Sequence, residues 1–312
     1  MARPIEFREQ SEASQPEEQE ARAAQATRIV RILREFAHDP RWWFGIILLI
    51  FILAALFAPV VSPYNPLLYH PSSTAQAPTL AHPLGTDSLG RDQLSRVIYG
   101  ARISLFIGFI AILLGGIVGT LLGMLAAYFK GWVDQLITIV VDALISFPSL
   151  ILALAIVAVL GSSMVNVAVA LAIVRVPIYA RLARGQTLQV VSEDYVLAAR
   201  ASGTRTGKIL RRHILPNIFS PLLVQATISI SFAILDESVL SFLGLGAQPP
   251  TPDWGSMITD AQVFLSTDPW MMVGPALALV LVLVSLNLVG DALRDRLDPR
   301  DARRITMPFR KG

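Results

Sequence analysis

The chain has 312 residues, of which 54% are hydrophobic and only 16% are charged, and its formal net charge is +3. Soluble domains carry about 25% charged residues, whereas three runs here, residues 103–129, 143–174 and 214–235, contain none. Each run exceeds the ~20 residues that a helix needs to cross a ~30 Å hydrocarbon layer. The composition therefore predicts a polytopic, all-α integral membrane protein and not a soluble domain.

The residue types exclude several kinds of site. The chain has no cysteine, which excludes disulfides, thiolate metal sites and cysteine nucleophiles. Its four histidines are scattered and show no metal-ligand spacing. The basic residues cluster in particular loops, as membrane topology requires, so the net charge gives no reason to expect a nucleic acid partner.

Residues 1–40 form a polar segment ahead of the first apolar run. Residues 1–25 are rich in Glu, Gln and Ala, which predicts disorder. Residues 27–36 mix Ile, Val, Leu and Phe with arginine, which predicts a basic amphipathic helix on the cytoplasmic membrane surface. A solvated helix without a special role fits the same pattern. A cleavable signal peptide is not expected, because this segment lacks an apolar core.

Six membrane spans are predicted from the apolar runs and the turn signals between them. The first belongs to residues 41–61, and an external loop over residues 62–100 precedes a core of five further spans at 101–293. Glycines at four-residue spacing in the second span predict close helix packing, and Pro148 predicts a kink in the third. The spans are expected at residues 42–61, 102–128, 132–160, 165–184, 219–245 and 270–293.

The distribution of Lys and Arg predicts the topology. They are concentrated before the first span, in the loop between the fourth and fifth spans, and in the tail at residues 294–312, whereas residues 213–293 contain none. By the positive-inside rule, both tails and that loop are cytoplasmic. Arg91, Arg96 and Arg102 lie on the outer side as exceptions, and we expect Asp87 and Asp92 to offset them.

The loop at residues 189–218, here called the basic loop, separates the fourth and fifth spans. Residues 196–200 favour a helix, Gly203 interrupts it, and a second helical piece runs to Leu215 before Pro216. Gly203 is expected to let the two helices meet at a tight angle without a Cβ clash, and a simple helix-capping glycine is the alternative. The basic side chains of the loop suggest an element that docks on another protein. They are Arg200, Arg205, Lys208, Arg211 and Arg212.

The basic loop resembles the EAA loop of ABC importer permeases, in which Glu-Ala-Ala is followed at fixed spacing by a glycine and then by Leu-Pro. Two positions depart from that pattern, because Leu197 replaces the glutamate and His213 replaces a hydrophobic residue. These departures leave the docking role intact but remove any polar contact from position 197. The matching positions are Ala198, Ala199, Gly203, Leu215 and Pro216.

Three further segments, residues 82–92, 240–255 and 287–299, are similar to the C-type permease of dipeptide, oligopeptide and nickel importers. The resemblance implies a six-helix permease of the type I importer fold in a prokaryotic inner or plasma membrane. It implies as partners a second, B-type permease, two cytoplasmic ATPases and an extracytoplasmic binding protein that delivers a peptide or related solute. It also implies that ATP and magnesium bind to the ATPases, so that this chain is not itself an enzyme and binds no cofactor.

The resemblance also assigns roles within the basic loop. Its first helix is expected to seat in a groove on an ATPase subunit and to convert ATP-driven closure into inward-facing and outward-facing states. The residues expected to make this coupling are Leu197, Ala198, Ala199, Arg200, Gly203, Arg205, Leu215 and Pro216.

Four ionisable residues fall within predicted spans, where charge is costly and marks candidate function. They are Asp142, Arg175, Asp236 and Glu237. In one interpretation Arg175 pairs with Asp142 or Asp236 and holds the bundle together. In the other, Arg175 or the acids line the translocation path and meet the charged ends of a peptide. Asp236 and Glu237 cannot both face one target, because adjacent helical residues point about 100° apart.

Competing functions lack support in the sequence. Residues 203–209 superficially resemble a phosphate-binding loop, but the glycine gap is one residue short and Ile209 replaces the magnesium-binding hydroxyl. A self-sufficient channel or secondary transporter is the main alternative, yet no convincing internal repeat relates the two halves. A membrane-embedded enzyme would need a catalytic constellation that does not stand out. Neither alternative accounts for the basic loop.

Overall fold

The computed structural model describes residues 41–297, and that part of the chain is helical. Apart from an isolated β-bridge between Thr86 and Asp92, the described residues form no strand. The predicted amphipathic helix at 27–36 and the end of the basic tail lie outside them. The helices are α1 (Arg41–Leu56), α2 (Ala58–Val61), α3 (Gln93–Phe129), α4 (Gly131–Ile145), α5 (Ser149–Leu160), α6 (Met164–Val191), α7 (Asp194–Ala201), α8 (Thr206–Phe242), α9 (Trp254–Gln262) and α10 (Trp270–Leu297).

Four helices, α3, α6, α8 and α10, are long and apolar enough to cross a membrane. The α4–α5 pair adds a fifth if it is a single broken span. The first predicted span is instead a 16-residue apolar helix, α1, followed by the single turn α2. The two are separated at Phe57 (φ −98°, ψ 21°), and Pro59, which has no backbone N–H to continue the helical ladder, stands in the first turn of α2. Length and composition therefore support four or five spans in the described residues, where the sequence predicted six.

The third predicted span does more than kink at Pro148. Helix α4 ends at Ile145 and α5 starts at Ser149, and the two axes meet at 93°. Pro148 has an extended backbone (φ −55°, ψ 132°) and precedes the first turn of α5. Proline lacks a backbone N–H and disfavours helical geometry in the residue before it, which accounts for the break. The kink predicted at Pro148 is therefore a full break between two helices.

Helices α3 and α6 pack with their backbones in close contact. An added Cβ at Gly115, Gly119 or Gly123 would overlap a backbone carbonyl oxygen of α6. Those oxygens belong to Ala172, Val176 and Ala180. An added Cβ at Gly108 would instead overlap the side chain of Ile234 on α8, 2.5 Å from its Cγ1. The packing role predicted for these glycines is confirmed, because only a residue without a Cβ allows such an approach.

We expect Gly119→Ala to destabilise the α3–α6 pair by about 1–3 kcal/mol, the usual cost of overpacking. The new Cβ would overlap the Val176 carbonyl and lie 2.7 Å from the Cβ of Tyr179. The thermal unfolding midpoint of the purified complex measures the effect. Gly116→Ala on the same helix is the matched control, because its Cβ would lie 3.4 Å or more from its neighbours. Equal midpoints for both variants would contradict the packing interpretation.

The loop at residues 62–100, which the sequence predicts to be external, pairs its own arginines with acids. Asp87 accepts a hydrogen bond from Arg91 Nε at 2.6 Å and lies 3.4 Å from Arg96 Nε. Asp92 contacts His82 Nδ1 at 2.8 Å and caps α3 by accepting the Ser95 N–H at 2.8 Å. This cap starts α3 at Gln93, earlier than the predicted span. The expectation that Asp87 and Asp92 offset the outer arginines holds for Asp87 with Arg91 and Arg96.

Candidate functional site

The basic loop forms two helices joined at Gly203. At the end of α7, Gly203 N–H donates to the Arg200 carbonyl at 3.0 Å and Thr204 N–H donates to the Ala199 carbonyl at 3.1 Å. With φ +72° at Gly203, this pattern is a Schellman helix end. A Cβ at this position would meet no described atom within 4 Å. Glycine is therefore needed here for its left-handed backbone and not, as the sequence suggested, to avoid a Cβ clash.

One face of the basic loop is anchored in the helical core. Val196 of α7 is fully buried, as are Ile209 and Ile214 at the start of α8. They belong to the same apolar cluster as Met124 and Tyr128 at the end of α3. The Arg200 guanidinium lies 5.2 Å above the ring of Tyr128. Helix α7 is therefore packed directly against the end of α3 and the start of α8.

The opposite side of α7 is exposed and largely apolar. Leu197 is 48% exposed, and Ala198 and Ala201 are also exposed. These three residues are here called the α7 face. Exposed basic side chains follow it in the chain at Arg205, Lys208, Arg211 and Arg212. Of the other residues expected to couple, Arg200, Gly203 and Pro216 are exposed, whereas Ala199 and Leu215 are half-buried.

Two of the four intramembrane ionisable residues form a buried ion pair. Arg175 of α6 donates from Nη2 to Asp236 of α8, and the Arg175 side chain is 7% exposed. The Arg175 guanidinium also lies 5.9 Å from the centre of the Phe232 ring. The structure thus brings Arg175 to Asp236, one of the two partners considered from the sequence, and does not bring it to Asp142.

Glu237 lies apart from this pair. Its side chain is fully buried, and Oε1 has no hydrogen-bond partner among the described residues. Ser238 Oγ donates to Oε2 at 3.4 Å. Asp236 and Glu237 therefore point to different surroundings, as expected for neighbouring residues on a helix.

Asp142 pairs with Arg181, which was not among the partners expected from the sequence. Arg181 Nη2 donates to Asp142 Oδ1 at 2.7 Å, and both side chains are more than half exposed. One turn further along α6, Arg184 binds Asp134 through both Nε and Nη2, at 2.6 and 2.7 Å. The only sequence signal for these pairs was the presence of two acids in α4 and two arginines near the end of α6. No group of three potential metal ligands occurs within residues 41–297.

Two family models match the chain. The model described as "Binding-protein-dependent transport system inner membrane component" matches residues 119–302. The model described as "N-terminal TM domain of oligopeptide transport permease C" matches residues 27–82. The two matches lie in chain order and together include the basic loop and most of the described helices.

Curated relatives match over most of their length. The dipeptide transport system permease protein DppC of Alkalihalophilus pseudofirmus is 45% identical over 82% of this chain and 84% of its own. The di/tripeptide transport system permease protein DppC of Pseudomonas aeruginosa is 43% identical over 86% and 90%. The glutathione transport system permease protein GsiD of Pectobacterium atrosepticum is 44% identical over 82% and 85%.

A solved structure shares the fold. The inward-facing MetNI methionine ABC transporter contains a chain that aligns with a TM-score of 0.55 at 18% sequence identity. The alignment covers 66% of the present chain and 97% of that chain. At this identity the likeness concerns the fold.

Proposed function

Because the chain belongs to the binding-protein-dependent transport system inner membrane components, and among them to the C-type permeases of peptide importers, we propose that it forms half of a translocation path for dipeptides, oligopeptides or a related small solute. The observation that carries this proposal is the 43–45% identity to dipeptide, di/tripeptide and glutathione permeases over more than four-fifths of the chain. The chain is a multi-pass membrane protein and a non-catalytic subunit of an ATP-driven transporter.

The proposed assembly contains a B-type permease, two ATPases that hold ATP and magnesium, and an extracytoplasmic binding protein. In this assembly the α7 face seats on an ATPase. Three features support that role: exposed apolar side chains in a loop outside the spans, surrounding basic residues, and a buried anchor to α3 and α8. Leu197, which stands where the EAA pattern has glutamate, adds an exposed apolar side chain to the α7 face.

The proposed topology has six spans and places both termini in the cytoplasm of a bacterium, with the chain in the inner or plasma membrane. Helices α1 and α2 together supply the additional span, because residues 41–61 measure about 31 Å at ~1.5 Å per residue. Basic residues in the two tails and in the basic loop support this orientation. The Arg175–Asp236 pair is assigned a structural role, since it is mostly buried between α6 and α8.

The proposal is tested by deleting the gene and measuring uptake of radiolabelled dialanine and labelled glutathione by intact cells. We expect uptake of at least one of them to fall to background and to return with a plasmid copy. Depletion of ATP should abolish that uptake, whereas collapse of the proton gradient at constant ATP should leave it. Uptake that follows the proton gradient would favour a secondary transporter instead.

A further inference from the structure

An exposed ion pair lies deep along the spans. Asp142 of α4 and Arg181 of α6 are joined at 2.7 Å, and their side chains are 53% and 56% exposed. Asp142 lies about 16 Å along α4 from its start at Gly131, and Arg181 about 15 Å before the end of α6 at Val191, at ~1.5 Å per residue. Both ends lie on the proposed cytoplasmic side. Measured from the predicted inner ends of the two spans, at residues 132 and 184, Asp142 lies about 15 Å and Arg181 about 5 Å inside a ~30 Å hydrocarbon layer.

An exposed ion pair at this depth would be costly in contact with lipid. Charged side chains inside the bilayer almost always face the bundle interior or a water-filled cavity. Here a cavity of about 240 Å³ between α3, α4 and α6 is lined by Asp142 and Arg181, together with Thr138, Arg184 and Gly185. A polar cavity of this size has room for several water molecules beside the exposed part of the ion pair.

The break in the third span supports the same conclusion. Residues 147 and 148 leave the helical conformation little more than one turn after Asp142, and both are exposed. Non-helical backbone at membrane depth is tolerated only where it is buried in protein or lines a water-filled cavity. Two independent features of the α4–α5 segment therefore point to water on this side.

The neighbouring ion pair, Arg184 with Asp134, differs from Arg181–Asp142 in the number of guanidinium nitrogens that bind the carboxylate. Arg184 uses both Nε and Nη2 on Asp134, so its fork is committed to one carboxylate. The Arg181 guanidinium makes a single hydrogen bond within the described residues, from Nη2 to Asp142. Its remaining N–H groups are the donors that recognise a second carboxylate in bidentate geometry.

We propose that Arg181 and Asp142 line the aqueous translocation path and bind the charged ends of a zwitterionic peptide in transit. This rests on the proposed function. Arg181 takes the terminal carboxylate through the N–H groups that Asp142 leaves free, and Asp142 takes the terminal ammonium. The Arg181–Asp142 pair has no net charge, and neither has a zwitterionic peptide. Binding of the peptide therefore adds no net charge to this part of the membrane.

The aqueous half of the proposal is tested by thiol labelling, since the chain has no cysteine. Thr138→Cys introduces one thiol into the cavity, about 9 Å along α4 from the predicted inner end of its span at residue 132. In inside-out vesicles with the whole importer, trimethylammonioethyl methanethiosulfonate should modify it at least tenfold faster than a cysteine replacing Phe106, an exposed residue of α3. Equal, slow labelling would mean that lipid or a partner subunit covers this face, and would overturn the proposal.

The peptide half is tested by uptake of labelled dialanine. Arg181→Gln/Asp142→Asn should lower uptake about tenfold or more while the importer is recovered at normal yield. The matched control, Arg184→Gln/Asp134→Asn, should lower yield and uptake in parallel, so that uptake per complex stays near normal. Normal uptake by the first double variant would overturn the proposal. If the wild-type importer carries no dialanine or other peptide, the proposed function itself fails, and the thiol labelling still decides whether the pair faces water.

Discussion

Replacement of Arg175 by methionine is expected to destabilise the folded chain by about 3–5 kcal/mol, the cost of leaving a buried charge without its partner. Asp236 would lose the guanidinium that pairs with it between α6 and α8, and its side chain is only 16% exposed. The yield of assembled importer from membranes, together with its thermal midpoint, measures the loss. Most of the complex should be absent at normal expression.

The double variant Arg175→Met/Asp236→Leu separates the two interpretations of this pair. It removes both charges, so a structural role predicts recovery of most of the yield and of uptake, since apolar replacements of buried ion pairs are often neutral. A single Arg175→Met variant with normal yield but no transport would contradict the structural role. It would restore the view that Arg175 lines the path.

A charged side chain on the α7 face is expected to uncouple the importer. Ala198→Arg puts bulk and charge at the centre of the proposed ATPase contact, where desolvated positions typically contribute about 2 kcal/mol or more, roughly 30-fold in affinity. We expect at least a tenfold loss of ATP-dependent uptake and of ATPase recovered with the tagged chain. Ala198 is exposed in the chain itself, so folding should be preserved.

A control is available at the same side of the membrane. Gln189 near the end of α6 is exposed and lies outside the α7 face. Gln189→Arg should therefore leave uptake and ATPase recovery close to normal. Equal effects of the two substitutions would point to a general effect of added charge, and an Ala198→Arg chain that still recovers the ATPase normally would remove α7 from the docking site.

The sequence predicted those parts of the fold that depend on residues close together in the chain. Uncharged runs identified the long helices, and Gly115, Gly119 and Gly123 identified the α3–α6 contact, because only glycine allows such close backbones. The break at Pro148 was underestimated. Whether a proline kinks or breaks a helix depends on what re-satisfies the freed backbone groups, and that is decided by tertiary packing.

The candidate site was predicted less completely. The basic loop could be found because its residue pattern is local, and the ion pairs could not, because their partners lie on different helices. Asp142 could reach either Arg175 or Arg181 until the rotation and register of α4 against α6 were known. The exposure of Asp142, which separates it from Asp236 and Glu237, also follows only from packing.

Affinity purification of the tagged chain from native membranes, with mass-spectrometric identification of its partners, tests the central claim most directly. We predict that a second permease and one or two ATPases accompany the wild-type chain, and that Ala198→Arg loses the ATPases but keeps the permease. A wild-type chain recovered alone, in good yield and well folded, would contradict the importer assignment and the docking role of α7.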